Sequence, residues 1–210
     1  MNIAIFGGTF NPIHIGHAIL ANYIIENTGI DSVWLMVARQ NPLKEGYDKS
    51  YDIHRLRMTE MVSSRLHGVI TSGFEFSLPY PSYTINTLDA LAAKFPEHHF
   101  NIVIGADNWE AFDKWKDCER IIHDYGVMVY PRRGYEINIP QEYAGRVVAI
   151  DAPMIEVSST FIRESIACGK DMTFFLPHDV YHYIKRNDLY KNENEEKNSK
   201  WNLMHCCSIN

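Results

Sequence analysis

Short apolar runs alternate along this chain with longer stretches whose apolar residues recur at three- and four-residue spacing. Ile3 to Phe6 is the first run; having no polar alternation, it reads as a strand covered on both faces. A glycine turn follows, then helical spacing from about Gly16 to Asn27, with Gly29 where such a helix stops. Val33 to Ala38 predicts a second buried strand and Asn41-Pro42 a loop. Asp52 is placed to cap a helix carrying Ile53, Leu56, Met61 and Val62 on one face. Val69 to Phe76 then predicts a strand, Ser82 to Phe95 a helix, and Phe100 to Ile104 a strand that ends at Gly105-Ala106-Asp107. Trp109 to Ile122 predicts a helix broken near Lys114. Gly126 to Tyr130 and Val147 to Ile150 read as strands, the first ending at Pro131. The last helices open at Ser158-Ser159-Thr160 and cover roughly Asp179 to Lys185.

Strands that alternate with helices predict an α/β fold: a single Rossmann-like, doubly wound domain over residues 1–190, with a mostly parallel sheet and helices on both faces. No internal repeat is visible. Residues 191–210 hold three Lys and three Glu among Asn and Ser, without periodicity, and are expected to form a disordered polar tail.

Composition narrows the function classes. At 210 residues the chain can bury roughly 70% of its unfolded surface without staples. The net charge of −6 and the absence of a basic stripe argue against a nucleic-acid binder, although a local cation cluster can still hold a small anion. The four cysteines, Cys118, Cys168, Cys206 and Cys207, form no CxxC pair, so no disulfide framework is expected and a reducing compartment fits. The amino-terminal run is too short for a signal peptide, and no stretch is apolar for the ~18 residues of a membrane span. A cytoplasmic protein without membrane partners is the expectation.

The richest segment is Gly7-Gly8-Thr9-Phe10-Asn11-Pro12-Ile13-His14-Ile15-Gly16-His17, between the first strand and the first helix. Ligands of parallel sheets bind beyond the carboxyl ends of strands, so this turn borders the expected site. Glycines admit a ligand close to the backbone, and a helix amino terminus attracts phosphate. His14 and His17, three apart, can face the same side and donate hydrogen bonds to phosphate oxygens. The spacing matches neither the GxGxxG fingerprint nor a Walker A loop. Near the other end, Ser158, Ser159 and Thr160 open a helix with hydroxyls and free N–H groups, and Arg163 follows one turn later with a planar fork of donors. This second set suits the β- and γ-phosphates of a nucleotide.

Gly-Gly-Thr-Phe-Asn-Pro-x-His-x-Gly-His resembles the signature of the HxGH nucleotidyltransferase superfamily, and Ile155-Glu156-Val157-Ser158-Ser159-Thr160-Phe161-Ile162-Arg163 resembles its second signature, Ile-Ser-Ser-Thr-x-Ile-Arg. The first departs from the usual form, which has Asp where this chain has Asn11. Asn41-Pro42-Leu43-Lys44, Ser82 to Leu88, Ile104 to Asn108, Trp115-Lys116, Pro131-Arg132 and Leu176-Pro177 are similar to segments of the bacterial nicotinate-nucleotide adenylyltransferases. The likeness runs in order over residues 1 to about 190.

The resemblance implies transfer of the AMP part of ATP to nicotinate mononucleotide, with Mg²⁺ arriving on the triphosphate and no dedicated protein metal site. It implies ATP contacts from Gly7, Gly8, Thr9, Phe10, His14, His17, Gly105, Ser158, Ser159, Thr160 and Arg163, with His14, His17, Lys44 and Arg163 acting in catalysis. On the mononucleotide side it implies Lys44 at a phosphate, Asp107 at ribose hydroxyls, Trp115 stacked on the pyridine ring, Thr84 at the nicotinate carboxylate and Arg132 near phosphate. Several have a plainer structural reading: Trp115 as core packing, Asp107 and Thr84 as helix caps, Lys44 and Arg132 as solvated charges. Rival functions are adenylylation of nicotinamide mononucleotide or phosphopantetheine, and a catalytically idle nucleotide-binding module.

Overall fold

The computed structural model describes residues 1–39, 49–79 and 81–191, leaving aside the side chains of Lys49 and Ser50. Lys44 and nearly all of the expected polar tail lie outside these residues. Six strands form one sheet: β1 (Asn2–Gly8), β2 (Ser32–Val37), β3 (Val69–Ser72), β4 (His99–Gly105), β5 (Val127–Tyr130) and β6 (Val147–Ala149). Their order is β3-β2-β1-β4-β5-β6, and every pairing is parallel. The expected mostly parallel sheet is therefore wholly parallel, with its order reversing between β1 and β4.

Alternation along each strand explains the continuous apolar runs. Ala4, Phe6, Val33, Leu35, Val37, Val103 and Met128 point into one core, together with residues of α1 (Ile15–Asn27), α2 (Lys49–Ser63), α6 (Ser159–Ala167) and α7 (His178–Arg186). Ile3, Ile5, Met36, Ile102, Ile104, Val127 and Val129 point into the other. That second core is closed by α3 (Thr84–Lys94), α4 (Ala106–Glu110) and α5 (Cys118–Asp124). Both faces are covered, which is why no strand needed polar alternation.

Three elements differ from the sequence reading. The third strand ends at Ser72, and Phe74–Ser77 forms a 3₁₀ turn closed by Phe76 N–H to Gly73 O. Helix α2 begins before Asp52, whose carboxylate pairs with Arg55 at 2.6 Å, and Ile53 is 64% exposed while Met58 takes the buried position. The helix expected from Trp109 to Ile122 does break near Lys114, but more widely than a kink: a 3₁₀ turn at Phe112–Lys114 and a link through Asp117 at φ +53° separate the end of α4 from α5. Cys118 is a free thiol. Among the described residues no helix is long and apolar enough to cross a membrane.

Candidate active site

The site lies beyond the carboxyl ends of β1, β4 and β5, where the strand order reverses and the loops diverge to leave a crevice. The glycine turn leaves β1 over a ring that dictates its sequence. Phe10, at φ +45°, folds its buried ring back against Gly8, where an added Cβ would lie 2.9 Å from the ring carbons. A side chain at Gly8 would push Phe10 away. Phe10 in turn meets the His17 ring edge-on at 5.0 Å, and Phe6 stands 5.9 Å away on another side. The turn, containing the cis Asn11-Pro12 bond, delivers His14 to the amino-terminal cap of α1.

The two imidazoles stack, centroids 3.8 Å apart. The His14 backbone N–H donates to His17 Nδ1 at 3.2 Å, so in the neutral ring the proton sits on Nε2. The buried His14 Nδ1 has no hydrogen-bond partner among the described residues. Burial, aided by the positive charge of Arg132, lowers the His14 pKa to about 4. Burial also holds His17 well below the ordinary histidine range, with His14 and Arg132 adding to it. Both rings are neutral at pH 7 and can each offer one N–H donor. An arriving polyphosphate would favour their charged forms.

Opposite the histidines, Gly105 ends β4 and Asp107 opens α4. A Cβ at Gly105 would displace Asp107 Oδ1 and approach Arg132 Nε to 3.1 Å. Asp107 Oδ1 is a buried atom 3.6 Å from Arg132 Nε, with no hydrogen-bond partner among the described residues. Arg132 donates from Nη2 to Tyr130 Oη at 3.0 Å and lies over the Tyr130 ring. A cavity of about 600 Å³ joins His14, His17, Asp107, Arg132 and Ser158, with Tyr130 and Met154 on its walls. That is the scale of a pocket for a drug-sized ligand.

The second motif supports the first. Ser158 caps α6 by accepting the Phe161 N–H at 3.1 Å. Ser159 Oγ donates to Pro12 O at 2.9 Å, and Arg163 Nη1 donates to Asn11 O at 2.8 Å while Nη2 reaches Thr160 Oγ1 at 3.3 Å. Ser159, Thr160 and Arg163 thus brace the glycine turn from residues about 150 positions away, whereas Val157, Ser158 and Phe161 of this motif line the large cavity. Asn11 Oδ1 accepts from the Tyr190 hydroxyl at 2.6 Å, an acceptor role that Asp would fill equally.

A second, smaller cavity of about 80 Å³ lies on the other side of the β1 end, walled by Gly7, Met36, Glu75, Thr84, Thr87 and Trp115. A Cβ on Gly7 would meet nothing within 4 Å, so the backbone there opens onto free space. Thr84 is the first residue of α3, whose cap Tyr83 makes no side-chain hydrogen bond. The expected pyridine-side residues Thr84 and Trp115 are therefore together, apart from Asp107 and Arg132. Gly8, Thr9 and Phe10 form the turn, and Lys44 lies outside the described residues.

Sequence reading missed Arg55 and Glu75. Arg55 is fully buried; Nη1 donates to Thr9 O at 2.6 Å and to Ala38 O at 2.8 Å, and Nη2 to Asp52. It clamps the loops after β1 and β2. A hint was present in Asp52 standing three residues before it. Glu75 was hidden inside a segment read as strand. Tyr130 could have been flagged as the last residue of a strand whose carboxyl end faces the site.

Among the described residues no group of three or more His, Cys, Asp or Glu could hold a metal ion. The cytidylyltransferase-like family model matches residues 5–165. A Bacteroides fragilis protein named probable nicotinate-nucleotide adenylyltransferase is 46% identical over 86% of this chain and 89% of its own length. A Porphyromonas gingivalis protein of the same name is 44% identical over 84% of this chain and 90% of its own. The solved structure of Plasmodium falciparum nicotinic acid mononucleotide adenylyltransferase with NaAD shares the fold at TM-score 0.73 and 19% identity, covering 90% of this chain and 97% of that one. The chain belongs to the cytidylyltransferase-like family and, within it, to the bacterial nicotinate-nucleotide adenylyltransferases.

Proposed function

We propose that this chain transfers the adenylyl group of ATP to nicotinate mononucleotide, yielding nicotinate adenine dinucleotide and pyrophosphate, the step that leads toward NAD. The observation that carries the reading is the pair of cavities on the two sides of the β1 end. One gathers the stacked histidines, Asp107 and Arg132; the other gathers Thr84 and Trp115 around open space at Gly7. Close relatives bear the corresponding name.

The acceptor phosphate is already an anion at neutral pH, so the protein needs no nucleophilic side chain. Its work is to align that oxygen with the α-phosphate and to offset charge on the surrounding oxygens. His17, tautomerically fixed by the His14 N–H, would donate from Nε2, and His14 would add a second donor. The turn of Gly7 to Phe10 would cradle the triphosphate, and Ser158 with Arg163 would face the departing pyrophosphate. Asp107 would accept ribose hydroxyls, Arg132 and Lys44 would meet phosphate, Trp115 would stack on the pyridine, and Thr84 would meet its carboxylate. Mg²⁺ would enter as part of the substrate, because the triphosphate supplies most of its ligands. Residues 1–190 would act as one domain, in the cytoplasm, where ATP is supplied.

The test is pyrophosphate release by purified protein with ATP and Mg²⁺ and, in turn, nicotinate mononucleotide, nicotinamide mononucleotide or phosphopantetheine. Strong release with the nicotinate form alone is expected, and His17→Ala should lower its rate by about 10²–10³ with the fold intact. Release with phosphopantetheine alone would overturn the substrate assignment. Silence with all three in a protein that still binds ATP would favour the idle module.

A further inference from the structure

The small cavity holds one acidic side chain among the residues that wall it. Glu75, from the 3₁₀ turn after β3, shares that wall with Thr84, Thr87 and Trp115. Its carboxyl group is held at arm's length: Oε2 accepts the Arg39 backbone N–H at 3.3 Å and Oε1 the Thr87 hydroxyl at 3.4 Å. Both contacts are long, and neither brings a cation into direct contact with the carboxyl. In a space of about 80 Å³ a ring substituent that reaches the start of α3 at Thr84 comes beside Glu75. Two ionised carboxylates at that separation would repel in a partly desolvated site.

Resting on the function proposed above, we infer that Glu75 sets the choice between acid and amide mononucleotides by taking up a proton when the acid binds. The Glu75 carboxyl then donates its O–H to the nicotinate carboxylate, and the open N–H groups of α3 share the remaining negative charge. The proton comes from solvent, so binding the acid consumes one proton per site wherever free Glu75 is ionised. The amide carries its own N–H donors and is accepted by ionised Glu75 without proton uptake. Rising pH therefore works against the acid and not against the amide.

The surroundings are consistent with an easily protonated group. Burial raises the Glu75 pKa above the usual carboxylate value, opposed by the Arg39 amide, by Thr87 and by the more distant charge of Arg55. Arg55 faces it from α2 and Arg39 from the end of β2, where Arg39 Nη1 is occupied by Leu78 O. From α3 and the segment before α5, Thr87 and Trp115 carry no titrating group.

The experiment compares kcat/KM for nicotinate and nicotinamide mononucleotides from pH 5.5 to 9 in the native protein and in Glu75→Gln. Both substrates carry the same 5′-phosphate, so its titration cancels in the ratio. The acid-over-amide ratio should fall by up to about tenfold per pH unit once bound Glu75 begins to ionise. In Glu75→Gln, which keeps a donor and cannot ionise, the ratio should be flat. Calorimetric titration of the native protein in buffers of different ionisation enthalpy should show net proton uptake with the acid and none with the amide. Equal proton uptake for the two ligands, or an unchanged pH slope in Glu75→Gln, would overturn the assignment. No turnover of either mononucleotide at any pH would sink the functional reading itself, and this inference with it.

Discussion

Arg55 is the residue on which the shape of the glycine turn most depends, and its removal gives a sharp prediction. The guanidinium is fully buried and holds Thr9 O, Ala38 O and Asp52 Oδ1, all within 2.8 Å. Arg55→Met keeps the apolar stem and removes three charge-assisted hydrogen bonds at once. Two loop carbonyls lose their donor, and the Asp52 carboxylate, only 15% exposed, loses this cation. Breaking a buried pair from one side costs about 3–5 kcal/mol. For a chain of this length each kcal/mol lowers Tm by about 2–4 °C, so a fall of about 6–20 °C is expected by scanning calorimetry. Asp52→Leu/Arg55→Met removes both charges and should recover part of that loss, because a carboxylate that is only 15% exposed is costly to keep once its guanidinium is gone. A Tm within ~2 °C of native for Arg55→Met, or a double variant less stable than the single one, would refute the reasoning.

Further outcomes follow from the same geometry. The folded chain keeps His14 neutral down to about pH 4, whereas the unfolded chain protonates it below about 6.5. Unfolding free energy should therefore rise with pH between those values, by on the order of 3 kcal/mol, and urea titrations of His14→Gln should show a flatter slope. Gly105→Ala would displace the Asp107 carboxylate and crowd Arg132. A lost charged hydrogen bond of about 1.5–3 kcal/mol predicts a roughly 10- to 150-fold fall in kcat/KM with Tm little changed; an unaltered rate would remove Asp107 from the site. Asn11→Asp should leave stability within about 1 kcal/mol, since Tyr190 keeps its acceptor, while Asn11→Leu should cost about 1–3 kcal/mol in chemical denaturation.

Most of the sheet was legible because burial on both faces leaves continuous apolar runs, and Ile3 to Phe6 or Val33 to Ala38 admit few other readings. The strand read through Phe76 failed for a physical reason. Phe74 and Phe76, two positions apart, would share one face of a strand, yet they pack against opposite cores because the backbone has already turned into a 3₁₀ bend. Asp52 looked like a cap because its spacing to Arg55, three residues on, fits a solvated ion pair on a helix as well as the buried guanidinium found here. In the site, His14, His17, Asp107 and Arg132 were legible from their positions after strands, and they line one cavity. What the second motif does was only half legible. Local chemistry showed that Ser158 would cap α6, but Ser159 on Pro12 O and Arg163 on Asn11 O are contacts between distant parts of the chain. Spacing along a sequence carries no trace of those.

The central claim is that the α-phosphorus of ATP moves to the mononucleotide, and isotope transfer tests it most directly. ATP labelled at the α-phosphate is incubated with Mg²⁺, nicotinate mononucleotide and the protein, and the products are separated and identified by mass. The account predicts label only in nicotinate adenine dinucleotide, with unlabelled pyrophosphate formed in equal amount. Label retained in ADP with no dinucleotide, or ATP left intact beside folded protein, would contradict it.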